Sequence, residues 1–152
     1  MGENAGVGKV ELNSEIEIKA SPETVWNLLT DVSRFPEWNP FIRRLRGKVE
    51  AGQKLVVFIQ PSGARGMEFN PVVLKVEPNR ELRWLGRLVF PGLFDGEHIF
   101  QIEPLSNGGV RFRQREIFSG VLVPLLKSSL EIDTRRGFNE MNQKLKELAE
   151  DK

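Results

Sequence analysis

The chain has 152 residues, of which 39% are hydrophobic and 28% are charged, and this length and composition are typical of one globular domain with a single core. Its 22 lysines and arginines nearly balance 21 aspartates and glutamates, so the net charge of +1 gives no support for binding to nucleic acid or to an anionic membrane. With no cysteine and one histidine, the chain cannot form disulfides, cysteine-based zinc sites or histidine-rich metal sites, and we expect neither a metal nor a cofactor.

Residues 1–9 are polar and rich in glycine, and we expect them to form a flexible tail before one domain over residues 10–152. The tail lacks the apolar stretch of a secretory signal, and Gly6 stands where a myristoylation pattern needs serine or threonine. No apolar run approaches the ~18 residues of a membrane-spanning helix. The expected location is the cytoplasm.

The first predicted strand covers residues 10–19, where apolar and polar residues alternate. The sequence SPETVW then predicts a helix start, because Ser21 suits the N-cap and Pro22 suits the first helical position. This helix should end near Asp31. The connector DVSRFPEWNPF follows, and its prolines and aromatic residues predict a turn and a second short helix that covers an apolar interior.

Six further strands are predicted from short alternating stretches that end at turn residues. Their predicted ranges are 42–50, 54–60, 67–77, 81–89, 94–105 and 110–119. Pro71 lies inside the third of these and indicates an edge or a bulge. Residues 124–150 show the apolar stripe of a long helix. Because the strands are joined by short turns, we expect an α+β fold in which a curved antiparallel sheet wraps around this helix.

The single histidine, His98, lies on the strand face that should be buried. If residue 105 pairs with residue 109 across the tight turn between the last two strands, His98 faces Glu116 and Phe100 faces Gln114. The outer face of the last strand would then carry alternating arginines, which cannot all point into a core. Gln114 and Glu116 should therefore point inward, beside His98.

Two interpretations of this polar cluster stay open. In the first, His98 and Glu116 satisfy each other inside a solid core. In the second, these two residues and Gln114 line a cavity and orient a ligand. Gly137 in the last helix is equally open to two interpretations, since it either leaves space for a cavity or permits close packing.

Several segments together resemble the SRPBCC superfamily, the polyketide cyclase/dehydrase and START-related group, over about residues 12–150. These segments are IEIKASPETVWNLLTDVSRFPEWNPFI, VEPNRELRW, FDGEHIFQIEPL, FSGVLVPLL and TRRGFNEMNQKLKELAE. The resemblance implies a helix-grip fold, with a seven-stranded antiparallel sheet around the C-terminal helix, two short helices after the first strand, and a hydrophobic cavity between helix and sheet. It identifies no catalytic set, because polar cavity residues differ between subgroups. The missing cysteines exclude the Rieske-type branch.

The first functional hypothesis is that the protein binds or carries a small hydrophobic molecule, such as a lipid or polyketide, in this cavity. The expected ligand contacts are Trp84, His98, Phe100, Phe112, Gln114, Glu116, Phe118, Leu130, Thr134 and Met141. The entrance is expected near the 61–66 loop, the 90–96 loop and the start of the last helix. The chain could be a monomer or a dimer.

Two alternatives remain. The protein could be a polyketide cyclase or dehydratase-type enzyme in which His98 and Glu116 act as acid and base. It could also be a protein-interaction module, as in the co-chaperone relatives of this fold, with exposed arginine rows docking an acidic partner.

Overall fold

The computed structural model describes residues 9–87 and 91–151. Its strands are β1 (Lys9–Ile18), β2 (Ile42–Arg46), β3 (Val56–Ile59), β4 (Met67–Phe69), β5 (Val72–Glu77), β6 (Glu81–Arg87), β7 (Asp95–Pro104) and β8 (Val110–Ser119). Its α-helices are α1 (Pro22–Thr30), α2 (Phe35–Trp38), α3 (Val123–Ser129) and α4 (Arg135–Glu150). None of the helices in the described ranges is long and apolar enough to cross a membrane.

Two antiparallel sheets form the β layer. The larger sheet has the order β1-β8-β7-β6-β5, and the smaller has the order β2-β3-β4. The two sheets carry a core that includes Phe35 and Phe41 from the connector after α1, as its aromatic content predicted. The predicted α+β helix-grip fold is confirmed, with a correction to the strand count.

The correction concerns the predicted strand over 67–77, which is two strands in the structure. Pro71 has no backbone N–H to donate to a ladder, so the chain leaves one sheet here and enters the other. The Asn70 side chain donates to the Leu55 carbonyl at 3.2 Å in this break. β4 then pairs with β3, while β5 pairs with β6. The result is eight strands in two sheets rather than seven in one.

Two of the predicted segments extend into residues that the structure does not describe. The predicted tail lies outside the described residues except for Lys9, which already pairs with Ser119 at the end of β8. The predicted strand 81–89 is observed as far as Arg87, and its last two residues lie outside the described part.

The first helix begins where its sequence predicts. The Ser21 hydroxyl accepts a hydrogen bond from the Thr24 backbone N–H at 3.1 Å, which satisfies one of the free donors at the helix start. Pro22 occupies the first helical turn, and the helix ends at Thr30. Val25, Trp26 and Leu29 form its buried face.

The C-terminal helical segment is interrupted by a π-helical turn. α3 leads into five residues of π-helix, Leu130–Thr134, and these lead directly into α4. Turns of this kind widen a helix and are frequent at functional sites. Beyond the turn, Phe138, Met141 and Leu145 form the buried stripe of α4 and pack against the sheet.

The register of the last two strands is the predicted one. His98 faces Glu116 and Phe100 faces Gln114, and the Leu105 N–H donates to the Gly109 carbonyl at 2.8 Å to close the turn. Burial alternates along β8, so the predicted inward face is the buried face.

The outer face of β8 carries an ion-pair ladder with β1. Each arginine of the row contacts a glutamate on the neighbouring strand. The pairs are Arg111–Glu17 at 3.2 Å, Arg113–Glu15 at 2.9 Å and Arg115–Glu11 at 3.0 Å. These arginines therefore lie on the solvated face and leave the inward face to Gln114 and Glu116.

Candidate ligand cavity

A cavity of about 270 Å³ lies where the two sheets approach α3 and the π-helical turn. Five strands contribute to its wall: β3, β4, β6, β7 and β8. The apolar lining consists of Phe41, Ile59, Pro61, Met67, Phe69, Phe94, Phe118, Leu126 and Leu130. An apolar wall with a few polar groups is the usual composition of a small-molecule site.

Two glycines form the floor of the cavity. Gly86 in β6 and Gly96 in β7 are cross-strand partners, and both line the cavity. A Cβ at Gly86 would lie 3.1 Å from the Phe69 ring, and a Cβ at Gly96 would lie 2.7 Å from Glu116 Oε2. The missing side chains thus let the Phe69 ring and the Glu116 carboxylate lie close against the backbone of the sheet.

Two pairs of aromatic side chains pack at the walls of the cavity. Phe94 and Phe118 stack with their ring centroids 5.5 Å apart and their planes inclined by 13°. Phe41 packs edge-on against Phe138 at 5.5 Å. A Cβ at Gly137 would collide with the Phe41 ring, so the structure favours the close-packing interpretation of this glycine.

Glu116 is the one carboxylate among the described lining residues. Its side chain is 10% exposed, and its Oε1 lies 2.9 Å from Nδ1 of His98, which is fully buried. This contact does not have hydrogen-bond geometry, and Nδ1 has no hydrogen-bond partner within the described ranges. In the same part of the chain, no three His, Cys, Asp or Glu side chains are grouped to hold a metal ion.

A chain of hydrogen bonds runs from His98 away from the cavity and into α4. His98 Nε2 lies 2.9 Å from Gln114 Oε1, and Gln114 Nε2 donates to Asn142 Oδ1 at 2.8 Å. Asn142 Nδ2 donates to the Ser14 hydroxyl at 3.0 Å, and this hydroxyl donates to Asn139 at the surface. The chain joins the sheet to the helix and keeps the imidazole ring in one orientation.

The structure brings four of the ten predicted ligand contacts to the cavity wall. These are Glu116, Phe118, Leu130 and Thr134. The other six are Trp84, His98, Phe100, Phe112, Gln114 and Met141, which are buried outside the lining. The physical reason is that buried side chains of α4 pack over the middle of the larger sheet, whereas the cavity lies beside α3 and the π-helical turn.

Dense packing around His98 shows why this region is closed. The imidazole ring stacks on Phe100 at 4.2 Å between centroids, and Trp84 meets Phe100 edge-on at 5.2 Å. Phe138 of α4 also packs against the imidazole, with ring centroids 5.2 Å apart. His98 therefore belongs to the solid core, and its partner Glu116 lies at the boundary between that core and the cavity.

Several lining residues were not predicted from the sequence. Phe41, Phe69 and Phe94 belong to connecting segments or to a short strand, and their positions depend on long-range packing. The glycines did carry a signal, since a glycine inside a strand often marks a close approach or an open space. Pro61 and Arg65 come from the first loop expected at the entrance, and they do line the cavity.

Comparison with known proteins places this fold in a family. The family model described as "polyketide cyclase / dehydrase and lipid transport" matches residues 9–150. The chain belongs to this family. The comparison with curated protein sequences gave no match.

Three solved structures show how this family member compares with others of its fold. The Zhui aromatase/cyclase from Streptomyces sp. R1128 is 12% identical, with a TM-score of 0.76 and coverage of 94% of both chains. A START superfamily protein from Mycobacterium smegmatis is 19% identical, with a TM-score of 0.70 over 95% of this chain and 99% of that one. Norcoclaurine synthase from Thalictrum flavum is 11% identical, with a TM-score of 0.71 over 97% and 92%. At these identities the likeness shows the fold alone.

Proposed function

We propose that this protein binds a small, mostly apolar molecule in the cavity above Gly86 and Gly96. The observation that supports this most is the apolar lining of the cavity, which gathers side chains from both sheets and from the C-terminal helical segment. Burial of a ligand's apolar surface against these side chains would favour binding.

The size of the cavity limits the ligand. Ligand pockets commonly measure roughly 300–1,000 Å³, so a cavity of about 270 Å³ is at the small end. A ligand that buries roughly 200 Å² of apolar surface gains about 5 kcal/mol before the costs of binding. One or two fused rings suit this space better than an extended acyl chain or a tetracyclic molecule.

The first experiment is native mass spectrometry of freshly purified protein, followed by equilibrium dialysis with naphthalene derivatives. We expect a saturable site with one ligand per chain. Gly86→Leu should abolish binding, because the new side chain fills the floor beside Phe69. Arg113→Gln, on the outer face, is the matched control and should bind normally. Normal binding by Gly86→Leu would contradict the proposed location.

A second candidate function is proton-transfer catalysis on the bound molecule. Its support is the 2.9 Å contact between Glu116, which lines the cavity, and His98 behind it. A carboxylate and an imidazole in contact can remove a proton next to a ligand carbonyl and return it elsewhere, as a cyclase or dehydratase requires. The test is turnover of a small polyketide-like diketone. Product formation that Glu116→Leu abolishes favours the enzyme, and binding without turnover favours the carrier.

The third hypothesis, an interaction module, receives less support from the outer face. Its arginine row would dock an acidic partner only if the guanidinium groups were available. Arg113 and Arg115 instead lie within 3.0 Å of glutamates on β1. A partner would have to displace these pairs, which makes this surface a poor acidic-peptide site.

A further inference from the structure

We infer that the ligand of this protein is an anion, an apolar molecule with one carboxylate group that Arg65 and Arg87 bind at the rim of the cavity. This inference rests on the proposed function, because it names the class of ligand for the same site. It follows from the positions of the charged side chains that line the cavity, from their exposure and from the partners that they have in the fold.

The charged side chains of the lining lie at two depths. They are Arg65, Arg87 and Glu116. Glu116 is buried beside the fully buried His98, so its carboxylate belongs to the inner part of the cavity. Arg65 and Arg87 are exposed, so they form the rim, where the cavity meets the solvent. The rim therefore carries two positive charges, and the inner part carries one negative charge.

Strands from both sheets bring the two arginines to the same opening. The Phe69 ring of β4 packs over Gly86 of β6, where a Cβ would lie 3.1 Å from the ring. Arg87 directly follows Gly86 in the chain, and Arg65 lies in the loop that leads into β4. The contact between the two sheets at Phe69 thus places both arginines beside one cavity.

The fold leaves the donors of both guanidinium groups available. Arg65 makes no ion pair with any residue in the described ranges. Arg87 Nε lies 3.9 Å from Asp95 Oδ1, which is beyond hydrogen-bond distance, and the Arg87 side chain is 51% exposed. The other oxygen of Asp95 accepts from the Gly92 backbone N–H at 3.2 Å. Both arginines can therefore donate to a ligand.

This arrangement favours a carboxylate over other polar groups. A guanidinium group presents its N–H donors in a planar fork that matches the two oxygens of a carboxylate. A carboxylate at the rim keeps part of its hydration, so the cost of removing a charge from water is smaller than inside the cavity. A ligand cation at the rim would meet two positive charges.

The same charges set the orientation of the ligand. A carboxylate placed in the inner part would meet the like charge of Glu116 and would lose its hydration. With its carboxylate at the rim, the ligand instead directs its apolar body inward, against side chains such as Phe94 and Phe118. We therefore assign the ligand to small apolar monocarboxylates.

The experiment compares three probes of similar size by equilibrium dialysis at neutral pH: 2-naphthoate, 2-naphthamide and 2-naphthylmethylamine. At low ionic strength the wild-type protein should bind 2-naphthoate about tenfold more tightly than the neutral amide, as expected for two exposed ion pairs. The amine should bind most weakly. The preference for 2-naphthoate over the amide should shrink in about 0.5 M sodium chloride, because salt screens exposed charges.

Variants of the two arginines test the assignment directly. Arg65→Gln and Arg87→Gln should each reduce the preference for 2-naphthoate by about threefold, and the double variant should bind 2-naphthoate and 2-naphthamide equally. Both side chains are exposed, so the variants should fold, which thermal unfolding checks. Arg113→Gln, on the outer face, is the matched control and should keep the wild-type preference.

Three results would overturn the inference. Two of them need only the wild-type protein: equal affinities for 2-naphthoate and 2-naphthamide, or tightest binding of the amine. The third is a preference for 2-naphthoate that persists in the double variant, because the anion would then be bound elsewhere. Failure of the proposed function is distinguishable, since none of the three probes would then bind at a site that Gly86→Leu closes.

Discussion

Gly96 lies directly beneath the carboxylate of Glu116: a Cβ here would come within 2.7 Å of Oε2, at the end of the Glu116 side chain. Its cross-strand partner Gly86 lines the same floor, but there a Cβ would approach the Phe69 ring instead, at 3.1 Å. The two positions form a matched pair. Alanine at either position would narrow the cavity by one methyl group, but only alanine at position 96 would disturb the Glu116 carboxylate.

The first prediction uses this pair. Gly86→Ala and Gly96→Ala should each weaken the binding of naphthalene derivatives by about tenfold, because each methyl group narrows the cavity. Equilibrium dialysis measures both affinities. Unchanged affinities in the two variants would contradict the proposed location of the ligand.

Local pattern predicted the parts of this fold that depend on near neighbours. Alternation along β8 and the tight turn before it were sufficient to pair His98 with Glu116, because a two-residue period fixes which side chains share a face. The cap at Ser21 followed from the chemistry of one side chain. In both cases the partners lie close together in the chain or on adjacent strands.

The position of the cavity could not be predicted in the same way. It depends on where α4 stops covering the sheet, and on Phe41, which reaches the wall because Gly137 lets its ring approach the helix. Asn142 was missed for the same reason, since its contact with Gln114 joins residues 28 positions apart. Such contacts arise from tertiary packing, which leaves little trace in a short segment of sequence.

The second prediction concerns the energetic coupling of His98 and Glu116. His98→Phe keeps the ring stack on Phe100 but leaves the Gln114 oxygen and the Glu116 carboxylate without their partner, which should cost about 1–3 kcal/mol of unfolding free energy. Glu116→Leu should also destabilise the protein, because it removes the 2.9 Å contact between the carboxylate and the His98 ring. The double variant should lose less than the sum of the two changes. Urea denaturation measures the unfolding free energy of all three variants. If the losses in the two single variants add up to the loss in the double variant, the 2.9 Å contact contributes no coupling energy.

The third prediction tests the packing role of Gly137. In Gly137→Ala the new methyl group would collide with the Phe41 ring, so Phe41 must leave its edge-on contact with Phe138. Overpacking of this kind costs about 1–3 kcal/mol, which more than offsets the higher helix propensity of alanine. Combining the change with Phe41→Leu should recover part of the loss. Thermal unfolding of the single and double variants is the measurement, and a stabilised Gly137→Ala would contradict the close packing.

The fourth prediction concerns acid stability and arises away from the cavity, at Glu81 on β6. Burial by itself would raise the pKa of Glu81, but hydrogen bonds from Arg83 and Gln101 and the charges of Arg83 and Lys75 outweigh it and lower the pKa below its ordinary value of 4.5. The Arg83 guanidinium lies 2.8 Å from the carboxylate, whose side chain is 11% exposed.

A lowered pKa in the folded state means that the unfolded chain binds this proton more readily. The stabilisation from Glu81 is therefore fully present above pH 4.5 and is lost as the pH falls below 4.5 and through the lowered folded pKa. Glu81→Gln should destabilise the protein at pH 7 by on the order of 1 kcal/mol, and this difference should shrink as the pH falls. Glu68→Gln, at an exposed position on β4, removes one carboxylate without touching this cluster and serves as the control. Denaturation curves between pH 7 and pH 3 measure the effect. If the difference in unfolding free energy between the wild type and Glu81→Gln stays constant over this range, the ion pairs with Arg83 and Lys75 do not favour the ionised form of Glu81 in the folded protein.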